Sequence, residues 1–407
     1  MDIEIRTIEP GQWDAFYTAC EAAFGQPAPA EDERASERTV SEVERSLAAF
    51  DGAEIVGTAG AFSFRLSVPG AVLPAAGVTQ VGVKPTHRRR GVNTALMRRQ
   101  LDDIHSRDEP VAILYASEGG IYGRFGYGLA SFMCGVDIET ARAGFVRGYR
   151  PAGRVRLLDR AAALEAMRPV YERVWTRTPG MIERTPAWWE YVFQDTEHRR
   201  EGASTLIFAV HESEGEPDAY AAYRVKHDWP ESLPINALWV EELVAATPQA
   251  YADMWRYCFD IDLMHRVRAW NQPSDDPLLY LLAEPRRLRF TVRDGLFARL
   301  VDVPPALAGR RYATTDRITL EVRDEFCPWN DGRYALEGGP DGAVCVPTTK
   351  SADLVLSATD LGAAYMGGAG FPTLARAGRV VEETPGALRR ADDMFRSDPA
   401  PWCPSMF

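Results

Sequence analysis

An arginine-rich turn with a single glycine is the part of this 407-residue chain whose residue types most plainly suggest chemistry. Residues 81–97 read VGVKPTHRRRGVNTALM, where an apolar strand pattern runs through the turn into a helical pattern. A glycine lets the backbone approach an anion closely, and the helix that follows offers free N–H groups and the positive end of its dipole. The turn therefore predicts a phosphate-binding site, and a CoA-type cofactor is the leading candidate.

The order of strand, Arg88-x-x-Gly91 and helix resembles the acetyl-CoA loop of the GNAT superfamily of N-acetyltransferases. The usual pattern there is Q/R-x-x-G-x-G/A, and this sequence departs from it by carrying Asn93 where the second small residue normally stands. The resemblance implies acetyl-CoA as co-substrate, held by Val81, Gly82, Val83, Arg89, Arg90, Gly91, Val92, Asn93 and Thr94. The residues by themselves leave open a second interpretation, in which the basic helix end is only a solvated surface.

A second motif follows the apolar run 111–115, where residues 117–128 read SEGGIYGRFGYG. Its Tyr122-x-x-x-Gly126-Tyr127 resembles the superfamily's Tyr-x-x-x-Gly-Phe signature, which implies that Tyr122 points at the departing thiolate of CoA. A phenol of ordinary pKa about 10 stays protonated and can donate to a thiolate of pKa about 8.5. Ser117 and Glu118 are expected to border the thioester. The alternative for Tyr122 is aromatic packing on the sheet, which is what we predict for Phe125 and Tyr127.

Composition limits the remaining classes of function. The net charge of −12 argues against a general nucleic-acid binder and favours cationic partners near the cleft, although solubility explains the charge equally well. No apolar run approaches the 18 or so residues that a membrane span requires, and residues 1–10 lack the pattern of a signal peptide. We therefore expect a cytoplasmic protein without a membrane partner.

The six cysteines are scattered, with no C-x-x-C pair and no cluster of histidines nearby. This pattern predicts reduced thiols and no metal site. Cys134, the cysteine nearest to the second motif, is expected to be a core residue and not an acyl-carrying nucleophile. His87, beside the arginines, is expected to be a surface residue and not a base.

The length predicts two or three domains, and we place them at 1–145, 146–293 and 294–407. The first is expected to be mixed α/β, with helices near 12–24 and 35–50 and strands at 54–66 and 77–83. The second repeats this order, but residues 238–249, which stand where a CoA strand and loop would be, contain no R-x-x-G sequence. This predicts a degenerate GNAT-like domain that binds no CoA and forms a wall of the cleft. The third, with helices near 352–366 and 385–394, is expected to be α+β and resembles a sterol-carrier-like domain.

Two GNAT-like halves, a carrier-like third domain and the 117–128 run together resemble the Eis (enhanced intracellular survival) family across the whole chain. The resemblance implies that the C-terminal carboxylate, here that of Phe407, acts as the base for the amine. It also implies primary-amine substrates (aminoglycoside-like, polyamine-like or lysine side chains) and a homo-oligomer, specifically a hexamer. Trp188 and Trp189 are expected to be exposed, and exposed aromatic residues of this kind are compatible with assembly into an oligomer.

The tail at residues 401–407, PWCPSMF, is apolar and stiffened by prolines, so it is expected to dock on the folded chain. The residues alone leave open whether it docks beside Tyr122 or on its own domain. A rival function also stays open: a non-catalytic CoA- or lipid-binding sensor whose GNAT half is vestigial. The intact Arg88, Gly91 and Tyr122 favour the enzyme over the sensor.

Overall fold

The computed structural model describes residues 3–407, and the first of its three sheets holds the two motifs. Seven strands lie in the order β1-β2-β3-β4-β5-β14-β6. Their bounds are Ile3–Thr7 (β1), Leu47–Asp51 (β2), Glu54–Val68 (β3), Ala71–Val83 (β4), Val111–Tyr115 (β5), Gly128–Leu129 (β6) and Leu296–Leu300 (β14). Three α-helices accompany them, Trp13–Ala23 (α1), Glu31–Arg38 (α2) and Val92–Ser106 (α3).

Strands β4 and β5 are parallel neighbours, joined by α3, and they separate partway along their length. Their pairing runs only from Ala75 to Gly77 on β4 and from Val111 to Ile113 on β5, although both strands continue further. The apolar side of α3 packs on the sheet, since Leu96, Met97, Leu101 and Ile104 are all buried. The separation leaves a wedge-shaped opening at the end of β4 where α3 begins.

The second sheet repeats this arrangement. Its order is β13-β7-β12-β11-β10-β9-β8, with Phe132–Glu139 (β7), Arg154–Leu158 (β8), Ile207–Ser213 (β9), Glu216–Lys226 (β10), Asn236–Ala245 (β11), Met264–Pro273 (β12) and Arg289–Asp294 (β13). The helices are Arg160–Trp175 (α4), Pro186–Val192 (α5), Glu197–Arg200 (α6), Pro248–Asp260 (α7) and Leu278–Leu281 (α8). Helix α7 joins the parallel pair β11 and β12, as α3 joins β4 and β5.

The third sheet, in the order β17-β16-β15-β18-β19, packs against the first through a shared core. Its strands are Asp316–Arg323 (β15), Gly332–Gly339 (β16), Gly342–Pro347 (β17), Leu354–Ser357 (β18) and Val380–Glu382 (β19). Its helices are Val303–Ala308 (α9), Ala358–Tyr365 (α10), Phe371–Arg376 (α11) and Ala387–Phe395 (α12). Among residues 3–407, no helix has both the length and the apolar character needed to cross a bilayer.

Two strands cross between the sheets. Strand β7 follows the second motif but lies in the second sheet, between β12 and β13. Strand β14 follows the second sheet but returns to the first, where it pairs with both β5 and β6. The chain therefore crosses from the first sheet to the second at β7 and returns to the first at β14.

Three sequence expectations about these elements were wrong. The helix predicted at 35–50 ends at Arg38, and Leu47–Asp51 is instead strand β2, because this short apolar run pairs with strands on both sides. The helix predicted at 352–366 begins only at Ala358, after strand β18. The aromatic pair expected on the surface is buried, with Trp188 6% and Trp189 2% exposed.

A buried ion pair supports the turn that carries the second motif. Arg299 of β14 is fully buried and donates both to the carboxylate of Asp324 and to the main-chain oxygen of Phe125. Gly126 has a φ of +84°, and a Cβ at this position would overlap the Arg299 guanidinium. Both the conformation and the space at this position therefore require glycine.

We predict that Gly126→Ala destabilises the protein by about 2 kcal/mol or more, because the new methyl group must displace a buried, paired arginine. Thermal unfolding followed by circular dichroism measures the change. Gly120→Ala is the matched control, since a Cβ there meets nothing within 4 Å. Equal melting temperatures for the two variants would contradict the predicted role of Arg299.

Candidate active site

A cavity of about 560 Å³ opens where β4 and β5 separate, and we refer to it as the first cavity. It brings together Tyr122 and every cofactor-binding residue predicted from the sequence except Arg90, namely Val81, Gly82, Val83, Arg89, Gly91, Val92, Asn93, Thr94, Ser117 and Glu118. Arg90 lies in the same turn, exposed to solvent. Sequence reasoning missed several further lining residues, which are Ala23, Phe24, His87, Arg88, Ile121 and Arg124.

The start of α3 faces this cavity with unsatisfied backbone donors. Gly91 is the N-cap, with a φ of +81°, and no side chain caps the helix. The N–H of Ala95 makes the first intrahelical bond, to the oxygen of Gly91, so the three preceding N–H groups have no partner within the helix. Open N–H groups, the helix dipole and the side chain of Arg89 together suit a pyrophosphate.

Asn93, the departure from the superfamily pattern, lies at this helix start. Its Oδ1 is buried and has no hydrogen-bond partner among the described residues. A buried polar atom without a partner is costly, unless a ligand or water satisfies it. The side chain therefore fits a position that contacts a bound ligand.

Arg88 and His87 fix the turn through hydrogen bonds to other elements. The Arg88 guanidinium donates to the main-chain oxygens of Val83, at 3.2 Å, and Ala23, at 2.7 Å. The expectation that His87 is a surface residue was wrong, because its ring is buried between Thr86 Oγ1, at 2.8 Å, and Asp51 Oδ2, at 3.2 Å. These contacts tie the turn to α1, to the end of β4 and to β2.

Tyr122 lines the opposite wall and is 5% exposed. Burial raises its pKa to about 12, with a smaller contribution from Cys20. Its turn is held from the third domain, since Thr359 Oγ1 of α10 donates to the main-chain oxygen of Gly123 at 2.8 Å. Because a raised pKa favours the neutral phenol, Tyr122 keeps its proton across the physiological range. Phe125 and Tyr127 are buried in the core, as predicted.

Phe407 lies outside the first cavity and lines a second one, of about 630 Å³. Its ring centroid is 4.9 Å from that of Phe64 on β3 and 5.3 Å from that of Tyr115 at the end of β5. Helix α1 borders both cavities, the first through Ala23 and the second through Glu21. The tail therefore docks on central strands of the first sheet, beside the point where β4 and β5 separate.

The wall of the second cavity contains six glutamates, Glu21, Glu33, Glu37, Glu201, Glu241 and Glu242, and three basic residues, His198, Arg199 and Arg224. Two of the glutamates pair with arginines, Glu242 with Arg184, at 2.5 Å, and Glu241 with Arg224, at 3.3 Å. Glu33 lies 3.8 Å from the ring of His198. The sequence did not identify these acids, since they come from segments far apart in the chain.

Three of the cavity glutamates, Glu21, Glu37 and Glu241, have a pKa above the ordinary value, with burial as the largest cause. Burial, followed by the charge of Glu33, raises the pKa of Glu21. Burial also raises the pKa of Glu37, whose carboxylate accepts from Tyr191 Oη at 2.7 Å and from Gln80 Nε2 at 2.9 Å. A cation entering the cavity would relieve the repulsion between Glu21 and Glu33 and stabilise their charged forms.

The corresponding helix of the second sheet offers no comparable donors. Thr247 caps α7, its Oγ1 accepting from the N–H of Ala250 at 3.1 Å, and Pro248 at the first helical position has no N–H. This geometry fits the expectation that the second domain binds no CoA.

The cysteines are free and buried, and Cys134 lies in the core as predicted, where burial raises its pKa to about 11. Within residues 3–407, no group of three or more His, Cys, Asp or Glu residues is arranged to hold a metal ion.

Comparison with known proteins defines the class. Models of the acetyltransferase (GNAT) domain match residues 4–130 and 180–300, and a sterol carrier protein domain matches 303–404. The chain is thus an acyltransferase with two GNAT-type domains and a carrier-like third domain, which confirms the predicted fold class.

Relatives define the family. An uncharacterized N-acetyltransferase of Streptomyces avermitilis is 46% identical over 100% of both chains. The N-acetyltransferase Eis of Mycobacterium tuberculosis is 36% identical over 85% of this chain and 84% of its own. The crystal structure of Eis1 from Mycobacterium abscessus superposes with a TM-score of 0.87 at 33% identity, covering 100% of both chains. The chain belongs to the Eis family of N-acetyltransferases, as its sequence predicted.

We predict that Gly91→Ala raises the KM for acetyl-CoA about tenfold, because alanine disfavours the left-handed conformation that exposes the helix N–H groups. Steady-state kinetics at varied acetyl-CoA measure the effect. Gly215→Ala is the control, since Gly215 has a φ of +91° and, like Gly91, nothing within 4 Å of an added Cβ, but it lies in the β9–β10 turn. An unchanged KM in the Gly91 variant would contradict the phosphate site.

Proposed function

We propose that this enzyme transfers the acetyl group of acetyl-CoA directly to a primary amine, without a covalent enzyme intermediate. The observation that carries the proposal is that a cavity with open helix N–H groups and a cavity lined by glutamates border the same helix, α1. The first suits an anionic thioester donor and the second a cationic acceptor. Tyr122 and the C-terminal residue Phe407 line one cavity each.

Acetyl-CoA would be held by the end of β4 and the start of α3. Beyond Gly77, β4 pairs with β3 on one side only, so its other edge can pair with the pantetheine amides as an added strand would. The N–H groups of Val92, Asn93 and Thr94 would receive the pyrophosphate, and Ser117 and Glu118 would border the thioester. The donor supplies an activated acetyl group with a thiolate as its leaving group.

Tyr122 would protonate that thiolate. Its pKa of about 12 keeps the proton on the phenol until it is needed, and it also makes the phenol a weaker acid than free tyrosine. Exclusion of water from the same cavity would also raise the pKa of the CoA thiol, and this reduces the difference between the pKa of the phenol and that of the thiol. The acid therefore works because donor and acceptor of the proton share one desolvated site.

The terminal carboxylate of Phe407 would take the proton from the amine. A free α-carboxyl group has a pKa of about 3.5, far below that of an ammonium group. Three routes overcome this difference: desolvation of the carboxylate, transfer through a water, and capture of a proton that the amine releases transiently. The rings of Phe62, Phe64 and Tyr115 pack on the ring of Phe407 and would hold this residue at the wall of the second cavity.

The acceptor class that we propose is primary amines of aminoglycoside-like or polyamine-like molecules, or lysine side chains. Glu21, Glu33 and Glu37 would attract such cations to the second cavity. We propose a cytoplasmic homo-oligomer, a hexamer by family resemblance, without nucleic-acid or membrane partners.

We predict that Tyr122→Phe lowers kcat about tenfold to a hundredfold and leaves the affinity for acetyl-CoA nearly unchanged, because only the proton donor is lost. Release of free CoA is measured against a panel of aminoglycosides, polyamines and lysine peptides. Tyr127→Phe is the matched control, since its hydroxyl is buried and has no hydrogen-bond partner among the described residues. Full activity of the Tyr122 variant would remove this residue from the chemistry.

The same assay tests the rival function. A wild-type protein that binds acetyl-CoA but acetylates no amine in the panel would favour the non-catalytic CoA- or lipid-binding sensor.

We predict that one glycine added after Phe407 lowers kcat at least about tenfold, because it displaces the carboxylate from its site. The control is the same residue added after Met1. An extended chain with wild-type kcat would rule out the carboxylate of Phe407 as the base.

A further inference from the structure

The last residues of the chain occupy the wedge of the second domain. Strands β11 and β12 pair only as far as Val240 and Ala269, beyond which β11 pairs with β10 and β12 with β7. In the first sheet the equivalent wedge is the first cavity. In the second sheet, side chains of the two separated strands hold the tail, residues 401–407, through the contacts described below.

On the β12 side, the tail is held by one buried amide. Asn271 Nδ2 donates to the main-chain oxygen of Cys403 at 2.9 Å, and Asn271 Oδ1 accepts from Trp402 Nε1 at 2.8 Å. The N–H of Trp402 donates to the main-chain oxygen of Pro179 at 2.8 Å. All of these groups are buried, so the path of the tail is fixed up to Cys403.

On the β11 side, the tail is held through a buried arginine. The Arg184 side chain is 0% exposed and forms a bidentate pair with Glu242 of β11, at 2.8 and 2.5 Å. The same guanidinium donates twice to Ser405 Oγ, at 3.0 and 2.8 Å. A buried ion pair is weak evidence for stability and suggests that a defined geometry is being held.

Ser405 lies two residues before the C-terminus, and from there the chain reaches the first sheet. The hydroxyl of Tyr115, at the end of β5, donates to the main-chain oxygen of Cys403 at 3.0 Å. The ring of Phe407 packs on Phe64, and the Phe64 ring fills the space that a Cβ of Gly77 would need. Gly77 is the last residue of β4 that pairs with β5, so the tail leads from the second wedge to the base of the first.

We infer that Arg184 and Ser405 are positioning residues for the reaction, and that the second domain uses its wedge to hold the terminal carboxylate of Phe407. The inference rests on the proposed role of that carboxylate. Ser405 gives the guanidinium a fixed hydrogen-bond partner close to the chain end, and Glu242 fixes the guanidinium on the sheet. A shift of about 1 Å in a reacting group is enough to lower a rate about a hundredfold, so this contact has a large effect on catalysis.

The test removes the contact while keeping the ion pair. Ser405→Ala is expected to lower kcat about tenfold or more with the KM for acetyl-CoA unchanged, and Ser405→Thr, which keeps a hydroxyl, is expected to restore most of the rate. Ser397→Ala is the control, since that hydroxyl donates to the main-chain oxygen of Pro399.

The pH dependence separates positioning from a merely structural role. A displaced base matters most while the amine is protonated, so the deficit of Ser405→Ala is expected to shrink as the pH approaches the pKa of the amine. A deficit that is constant with pH, with a lowered melting temperature, would overturn the inference.

Combining Ser405→Ala with the glycine extension after Phe407 distinguishes the two levels of the proposal. If Ser405 acts through the carboxylate, its substitution has little further effect once the extension has displaced that group. If the extension lowers kcat, but Ser405→Ala lowers kcat by the same factor in the extended chain as in the wild-type chain, the inference about Ser405 fails and the proposed base is retained. If the extension has no effect, the proposed base fails, and the inference fails with it.

Discussion

The separation of two parallel strands is the constraint on which the rest of this structure depends. Backbone groups of β4 beyond Gly77 have no partner on the β5 side, and such groups must be satisfied by water or by a ligand. Because the helix that joins two parallel strands starts at the end of the first strand, α3 presents its unpaired N–H groups at the same opening. One topological feature thus provides both a strand edge and an anion site.

The other two domains hold the parts of the site that the first sheet cannot fix alone. Strand β14 and α10 hold the Tyr122 turn through Arg299 and Thr359. In the second domain the helix is capped by its own Thr247, and the wedge is filled by the tail that ends in Phe407. Strands β7 and β14 connect these supports, since neither of the first two sheets is complete without the strand that crosses to it.

The sequence predicted the conformation of the two motifs well, but it predicted poorly which residues would be buried. The arginine turn and the Tyr122 run each span about a dozen residues, so type and spacing define their conformation. The prediction of a helix at 35–50 was wrong because Leu47–Asp51 pairs with a strand on each side, and this pairing outweighs its local propensity. His87 and the pair Trp188 and Trp189 were expected at the surface, but residues distant in the sequence contact them. These are Asp51 of β2 for His87, Phe62 of β3 for Trp188 and Tyr171 of α4 for Trp189.

The sequence by itself determined the arginine turn, the Tyr122 run, the class with three domains and the family, because each depends on residues close together in the chain or on their order. Only the tertiary structure decided which glutamates share a cavity, where Phe407 lies and that Arg184 holds the tail. Those contacts join residues far apart in sequence, 221 positions apart for Arg184 and Ser405, and no local pattern encodes such a pairing. Long-range packing sets it, through surfaces that exist only once the sheets have formed.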